Sequence, residues 1–488
     1  MIQRSVLTRS IAVAVVLVLL FKPAASEGSG KIPVTTSSQA ALAAFLKGQD
    51  LVDRLRLTDA IAHFREAVER DPNFALAHLY LALTSPTGTE FWSHLKRATE
   101  LAENASEGEQ LWIGGFQAGA YGDPLKQRDL FTKLTALHPD DERAHTLLGI
   151  NHFGQQDYEE AARNLQKAVE IAPEFTASYN QLGYAYRFLN RFDDAERTFK
   201  KYTELLPDDP NPYDSYAELL LKMGRFDEAI IQYRKALSVV SHFPNSHYGI
   251  AAALTYQGKY AQAREELQQA IDDARNDGEL RGALFTLAVS YVHEGRPELA
   301  VKEFEKQYAL GEKTDDAVAM AGDLIAIGNI TLESGRADNA LAYFKRALAV
   351  VQESDLAAEV KENASRIYRY NHGRVLVENG YYNDAVKESR EFLKEAEALG
   401  NANQIRLAHE LAGIIALARN EFSGAISELE EASQQNPYNL FRLAQAYAAR
   451  GDADTAKEFA RRAAQFNPLP ALNYAFIRSR AETMRGAL

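Results

Sequence analysis

The chain holds no cysteine in 488 residues. That excludes disulfides, a thiolate nucleophile and a cysteine-ligated metal, and it is compatible with an oxidising compartment without requiring one. Bases are outnumbered: 54 Lys and Arg face 67 Asp and Glu, a formal charge of −13. Without residues 1–26, which carry Arg4, Arg9 and Lys22 and no acid, the balance is 51 against 67. Such a field disfavours nucleic acid, whose affinity comes mainly from neutralised phosphates, and anionic membrane surfaces. Catalytic signatures are missing too. There is no phosphate loop, no His-Glu-x-x-His pair and no Gly-x-Ser-x-Gly elbow. Ser93-His94-Leu95-Lys96 matches a Ser-x-x-Lys string without its partner motifs and reads as helix surface. His145 and His152 stand two helical turns apart, about 10 Å, too far to share a metal. No enzyme activity, cofactor or metal is expected.

What is present is a repeat. Residues 142–175 and 176–209 are two copies of one 34-residue pattern, in which Leu148-Gly149 falls on Leu182-Gly183, Ala161 on Ala195, Leu165 on Phe199 and Pro173 on Pro207. With Glu142 as position 1, positions 4, 7 and 11 form one helical stripe. Small residues at positions 8 and 20 let two helices approach, and Pro at position 32 ends the second helix. The register extends to twelve units starting at Ala41, Ala75, Gly108, Glu142, Thr176, Pro210, Pro244, Arg281, Ala321, Arg366, Arg406 and Pro437. Position 20 is alanine in ten of them, and position 15 is Gly or Asn in nine, the residues that tolerate positive φ. The pattern resembles the tetratricopeptide repeat. That resemblance implies an all-α, right-handed superhelical solenoid of about twelve helix–turn–helix units with a C-terminal capping helix.

Six stretches follow. Residues 1–26 read as a secretory signal: a basic start, the apolar run Ile11–Phe21 and small residues before Glu27. The alternative is a short membrane anchor, although a span needs about 20 apolar residues. The product would be exported, periplasmic or secreted, or else held at the inner membrane facing the periplasm. Residues 27–39, rich in Gly, Ser and Thr, read as a flexible tether. Residues 40–141 hold partly degenerate units, 142–278 the regular array and 279–468 units of longer period. The surplus of that last group predicts longer second helices or connections. Residues 469–488 read as the cap, with Leu472, Phe476 and Met484 on the last repeat and Arg478, Arg480 and Arg485 in water.

In the family resembled, the concave face is lined by first-helix positions 2, 5, 6, 9, 12 and 13. Those positions carry over to Asn180, Gln181, Tyr184, Arg187, Asp214, Glu218, Asn245 and Tyr248, with a second patch at Tyr370 and Arg374. Polar amides interleaved with tyrosine suit a peptide, and the expectation is that these side chains face a partner rather than the core. Trp112 and Phe116, in the Gly-rich helix 111–122, suggest an apolar groove of their own. The Lys and Asn with which some relatives hold a terminal carboxylate are absent from the central units. The function expected is a non-catalytic scaffold binding a protein or peptide. Self-association through 75–141 or a small ligand is the alternative, and any membrane contact would run through the N-terminal segment.

Overall fold

The computed structural model describes residues 30–488, so the secretory-signal reading falls outside the described residues. The described residues are helical, without a strand. Twenty-five α-helices run as twelve pairs and one terminal helix, Leu472–Ala487. Four central first helices, Glu142–Gly154, Thr176–Phe188, Pro210–Lys222 and Pro244–Tyr256, begin on the residues the register predicts.

The periodic residues do what their chemistry requires. All ten position-20 alanines are fully buried at the crossing of their pair. A Cβ on the position-8 glycines Gly48, Gly183 or Gly328 would meet the ring of Phe64, Phe199 or Phe344 at 2.5–2.7 Å, so only hydrogen fits. The nine Gly and Asn residues at position 15 all adopt positive φ, from 59° at Asn190 to 87° at Gly451. Units 1 and 4 keep the same turn with Leu55 (φ 56°) and Gln156 (φ 61°), which pay for it in backbone strain.

In the later units the surplus enters both helices, not only the second. First helices such as Asp277–His293 and Ala317–Glu333 reach 17 residues, and Ala358–Glu378 reaches 21, against 13 in the regular units. Their second helices reach 17–18 against 14. First helices touch between most successive units, and no two second helices come as close, so the first helices form the inner layer.

The tether expectation is corrected for residues 30–38. This segment runs extended across the starts of units 4, 3 and 2, held by carboxylates. Ile32 N donates to Asp141 Oδ2 (2.8 Å), Thr35 N to Glu109 Oε1 (2.8 Å) and Thr36 Oγ1 to Asp71 Oδ2 (2.6 Å), and Lys31 pairs with Glu142. Burial would raise Asp71, but donors from Thr36, Asn73 and Ser37 outweigh it and hold the carboxyl low. The Thr and Ser residues that suggested flexibility are here hydrogen-bond donors.

The superhelix closes on itself. Asn401 Nδ2 donates to Gly122 O (3.2 Å), Ser433 Oγ to Gln156 Oε1 (2.8 Å), Gly88 N to Asp316 Oδ2 (2.6 Å) and Tyr256 OH to Pro468 O (2.7 Å). These partners lie between 212 and 279 residues apart, so successive superhelical turns are in contact.

Candidate functional site

The inner face is first of all a ladder between first helices. Ser215 Oγ donates to Asn180 Oδ1 (2.9 Å), Ser246 Oγ to Asp214 Oδ1 (2.6 Å) and Arg187 Nη1 to Glu218 Oε2 (3.1 Å), each one unit along. Burial raises the carboxyl of Asp214, with the charge of Glu218 one turn away adding to it. Burial also raises Glu218, against the pull of Arg187. Tyr184 OH donates weakly to Ser215 Oγ (3.4 Å), and burial pushes its phenol well up. Tyr248 OH donates to Glu279 O (2.6 Å). In the second patch Tyr370 OH donates to Glu410 Oε1 (2.9 Å) and Arg374 Nη1 to Asn329 Oδ1 (2.7 Å).

The expectation that these side chains face a partner is therefore corrected for most of them. Asn180, Arg187, Asp214, Glu218 and Tyr370 are buried, and their polar atoms join unit to unit. The reason is that each first helix packs sideways on the next, so positions 5, 9 and 12 meet their neighbours before they meet solvent. Gln181 and Asn245 are the two of the ten whose side chains make no hydrogen bond. Asn245 is exposed and Gln181 half-buried.

The back of the inner face is already occupied. The terminal helix Leu472–Ala487 packs on the last pair, as a cap should, but also on the first helix of unit 8, a half-chain away. Tyr474, Ile477 and Ala481 are fully buried in one cluster with Leu221, Ile250 and Tyr256 of units 6 and 7 and Leu440 and Phe441 of unit 12. Phe476 and Leu472 lean on Phe304 and Ile327 of units 8 and 9. Arg478, expected in water, donates to Tyr256 O (2.9 Å) with its guanidinium 5.1 Å from that ring. Below this helix Glu410 is buried yet held ionised: burial would raise it, and Arg442, Asn439 and Tyr370 together pull it down. Sequence reasoning missed this occupancy, since the helix's apolar stripe is visible but its distant receiver carries no periodic sign.

The front of the inner face is open. An apolar recess of about 210 Å³ spans units 1 to 5, walled by Leu55, Tyr80, Trp112, Phe116, Leu147 and Ile150, with Asn180 and Gln181 at its far end. Trp112 is only 4% exposed and packs edge-on to Tyr80 at 6.1 Å, so it is a wall rather than a projecting anchor. Its indole N–H finds no partner. The projecting residues are Ile150, 42% exposed, and Leu55, 37%. Arg143 closes one side, held by Asp53 through Nη1 (3.0 Å) and Nη2 (2.6 Å) and stacked on Phe175 at 4.7 Å. Among the described residues no group of three or more His, Asp or Glu is placed to hold a metal, and no helix is long and apolar enough to cross a membrane.

Parts of the sequence match known repeat families. Models described as tetratricopeptide repeat match residues 152–219 and 220–284, 45–84 and 128–175, and 440–462. No curated protein matches. A tetratricopeptide repeat protein from Parabacteroides merdae, of known crystal structure, is 16% identical over 54% of this chain and 98% of its own, with a TM-score of 0.37. PilW, a type IV pilus biogenesis factor, is 21% identical over 44% of this chain and 95% of its own, with a TM-score of 0.33. With helix pairs, buried position-20 alanines and left-handed turns recurring through and beyond the matched segments, the chain is built of tetratricopeptide repeats.

Proposed function

We propose that this chain is a non-catalytic scaffold of the cell envelope that holds a segment of a partner protein against the inner face of units 1 to 5. The observation that carries the reading is the contrast within one face. In the back half the chain's own terminal helix buries the apolar first-helix surface, whereas in the front half a comparable surface, with Ile150 and Leu55 projecting, is left open. An apolar recess beside the free amide of Gln181 suits an apolar side chain on a hydrogen-bonding backbone. Of the groove residues read from the sequence, Gln181, Asn180, Trp112 and Phe116 belong to this site. The others hold the scaffold together, except Asn245, which is exposed and unbonded.

The test is a cross-linked pull-down from native envelope fractions with wild type beside Ile150→Glu. The substitution is at an exposed position and should change stability by no more than about 0.5 kcal/mol, while a charge in the recess should abolish capture of the partner. A partner retained by Ile150→Glu would move the site elsewhere. Export rests on the N-terminal sequence, and terminal sequencing of the mature protein checks it: a chain starting near residue 26 supports cleavage, an intact Met1 in the membrane fraction the anchor.

A further inference from the structure

A second cavity lies on the closure seam, away from the front groove. It encloses about 890 Å³ between the turns of units 5 and 6, at Asn190 and Gly224, and the C-terminal segment from Glu458 to Arg485. We propose that this cavity is a binding site for a small solute carrying two or more anionic groups, phosphate or carboxylate.

Charge is the first support. The lining holds five cations, Lys222, Arg461, Arg462, Arg478 and Arg485, against two carboxylates, Glu458 and Glu482, in a chain whose formal charge is −13. Arg461 is satisfied by Glu458 (2.8 and 2.7 Å), and Arg478 lies 3.4 Å from Glu482. Lys222, Arg462 and Arg485 have no carboxylate partner among the described residues. Lys222 Nζ donates to Phe466 O (2.7 Å) and sits 3.4 Å from the centre of that ring. Arg462 lies over Phe459 at 4.9 Å.

Lys222 and Arg462 are desolvated cations that an anion would favour. Burial pushes the Lys222 ammonium down to about 7, and repulsion from Arg187 and Arg462 adds to it. Burial lowers Arg462 as well. A buried cation without a counter-charge is unfavourable unless one is supplied. An uncharged donor is also left over: Asn467 is 6% exposed, its Oδ1 accepts from Tyr474 OH (3.0 Å), and its Nδ2 has no acceptor. Arginine forks and an amide N–H are the donors that recognise phosphate and carboxylate oxygens. Three cations without a carboxylate partner set around one space call for more than one anionic group, and the volume lies in the range of small-molecule sites. Bound there, the solute would bridge Lys222 of unit 6 to Arg462 and Arg485 of the C-terminal segment, clamping the superhelix shut.

The experiment is calorimetric titration and thermal melting of the full chain with inorganic pyrophosphate and, in parallel, citrate, at ionic strength held constant with NaCl. Saturable one-site binding and a melting temperature that climbs with probe concentration are expected. The tighter probe tells phosphate from carboxylate chemistry. Arg462→Ala/Arg485→Ala should weaken binding about tenfold or more, given the strength of charge-assisted hydrogen bonds. Arg163→Ala/Arg197→Ala, on the exposed outer surface, should leave it unchanged. If the unliganded double variant melts early, the single Arg485→Gln carries the comparison. No saturation by either probe at millimolar concentration, or equal affinity in wild type and the seam variants, would overturn the proposal.

Discussion

The front and back of the inner face use one repeat for opposite ends. In units 1 to 5 the first helices leave an apolar recess with exposed Leu55 and Ile150. In units 6 to 12 the same stripe is consumed internally, by a buried ion network around Glu410 and by the terminal helix. The lesson is that the repeat fixes the backbone frame, through positions 8, 15 and 20, and leaves the inner stripe free to specialise unit by unit. A scaffold can therefore be rigid and self-filled in one half while keeping a receptive surface in the other.

The largest expected effect breaks the back half. Arg442 Nη1 donates to Glu410 Oε1 (2.9 Å), and both side chains are less than a tenth exposed. In Arg442→Met the carboxylate loses its counter-charge while still buried, and stability should fall by about 3–5 kcal/mol. Hydrogen exchange should localise the opening to units 11 and 12, since a solenoid need not melt as one unit. A neutral result would mean that Asn436, Asn439 and Tyr370 suffice for Glu410. Next comes the terminal helix. Ile477→Ala removes a fully buried side chain and should cost about 2–5 kcal/mol, with raised exchange in Pro244–Tyr256 as well as in the helix itself. Exchange confined to the C-terminus would show that the helix is only a cap.

At the border of the two halves, Gly183→Leu tests the frame itself. A Cβ there would meet Phe199 at 2.5 Å. The overpacked crossing should lower stability by about 1–3 kcal/mol in chemical denaturation, with Gly183→Ala intermediate. No loss would contradict the packing of that pair.

The frame was legible because its residues answer to local rules. Glycine or asparagine at position 15 reports a left-handed turn, and alanine at position 20 reports a close crossing. Leu55 and Gln156 show the limit, since the turn is also made where the favoured residue is missing. The ladder was legible in principle. Arg187 at position 12 meets Glu218 at position 9 of the next unit, and Asn180 at position 5 meets Ser215 at position 6, but the family's lining positions point to a partner, and a neighbour satisfies the same side chains. Closure was not legible. It arises from small rotations summed over many units, and contacts such as Lys222 with Phe466, 244 residues apart, repeat nowhere in the pattern. The segment 30–38 misled for a third reason: Ser and Thr serve a loose linker and a line of carboxylates equally well.

The smallest effect sharpens the comparison most. Leu55 stands where nine other units place Gly or Asn, at φ 56°, with its side chain on the rim of the front recess and 37% exposed. A leucine gains nothing from that backbone, whose left-handed conformation costs about 1–2 kcal/mol for a residue with a Cβ. Neither does burial explain it. A side chain kept both strained and exposed has its reason at a surface that something else covers. Leu55→Gly should therefore stabilise the free protein by about 0.5–1 kcal/mol, the relief of strain less the added freedom of glycine in the unfolded chain, and should weaken partner capture at the same time. Stability and binding would move in opposite directions at one residue. A variant that is more stable and captures the partner as well as wild type would leave the strain at Leu55 without a function, and the front recess without its projecting edge.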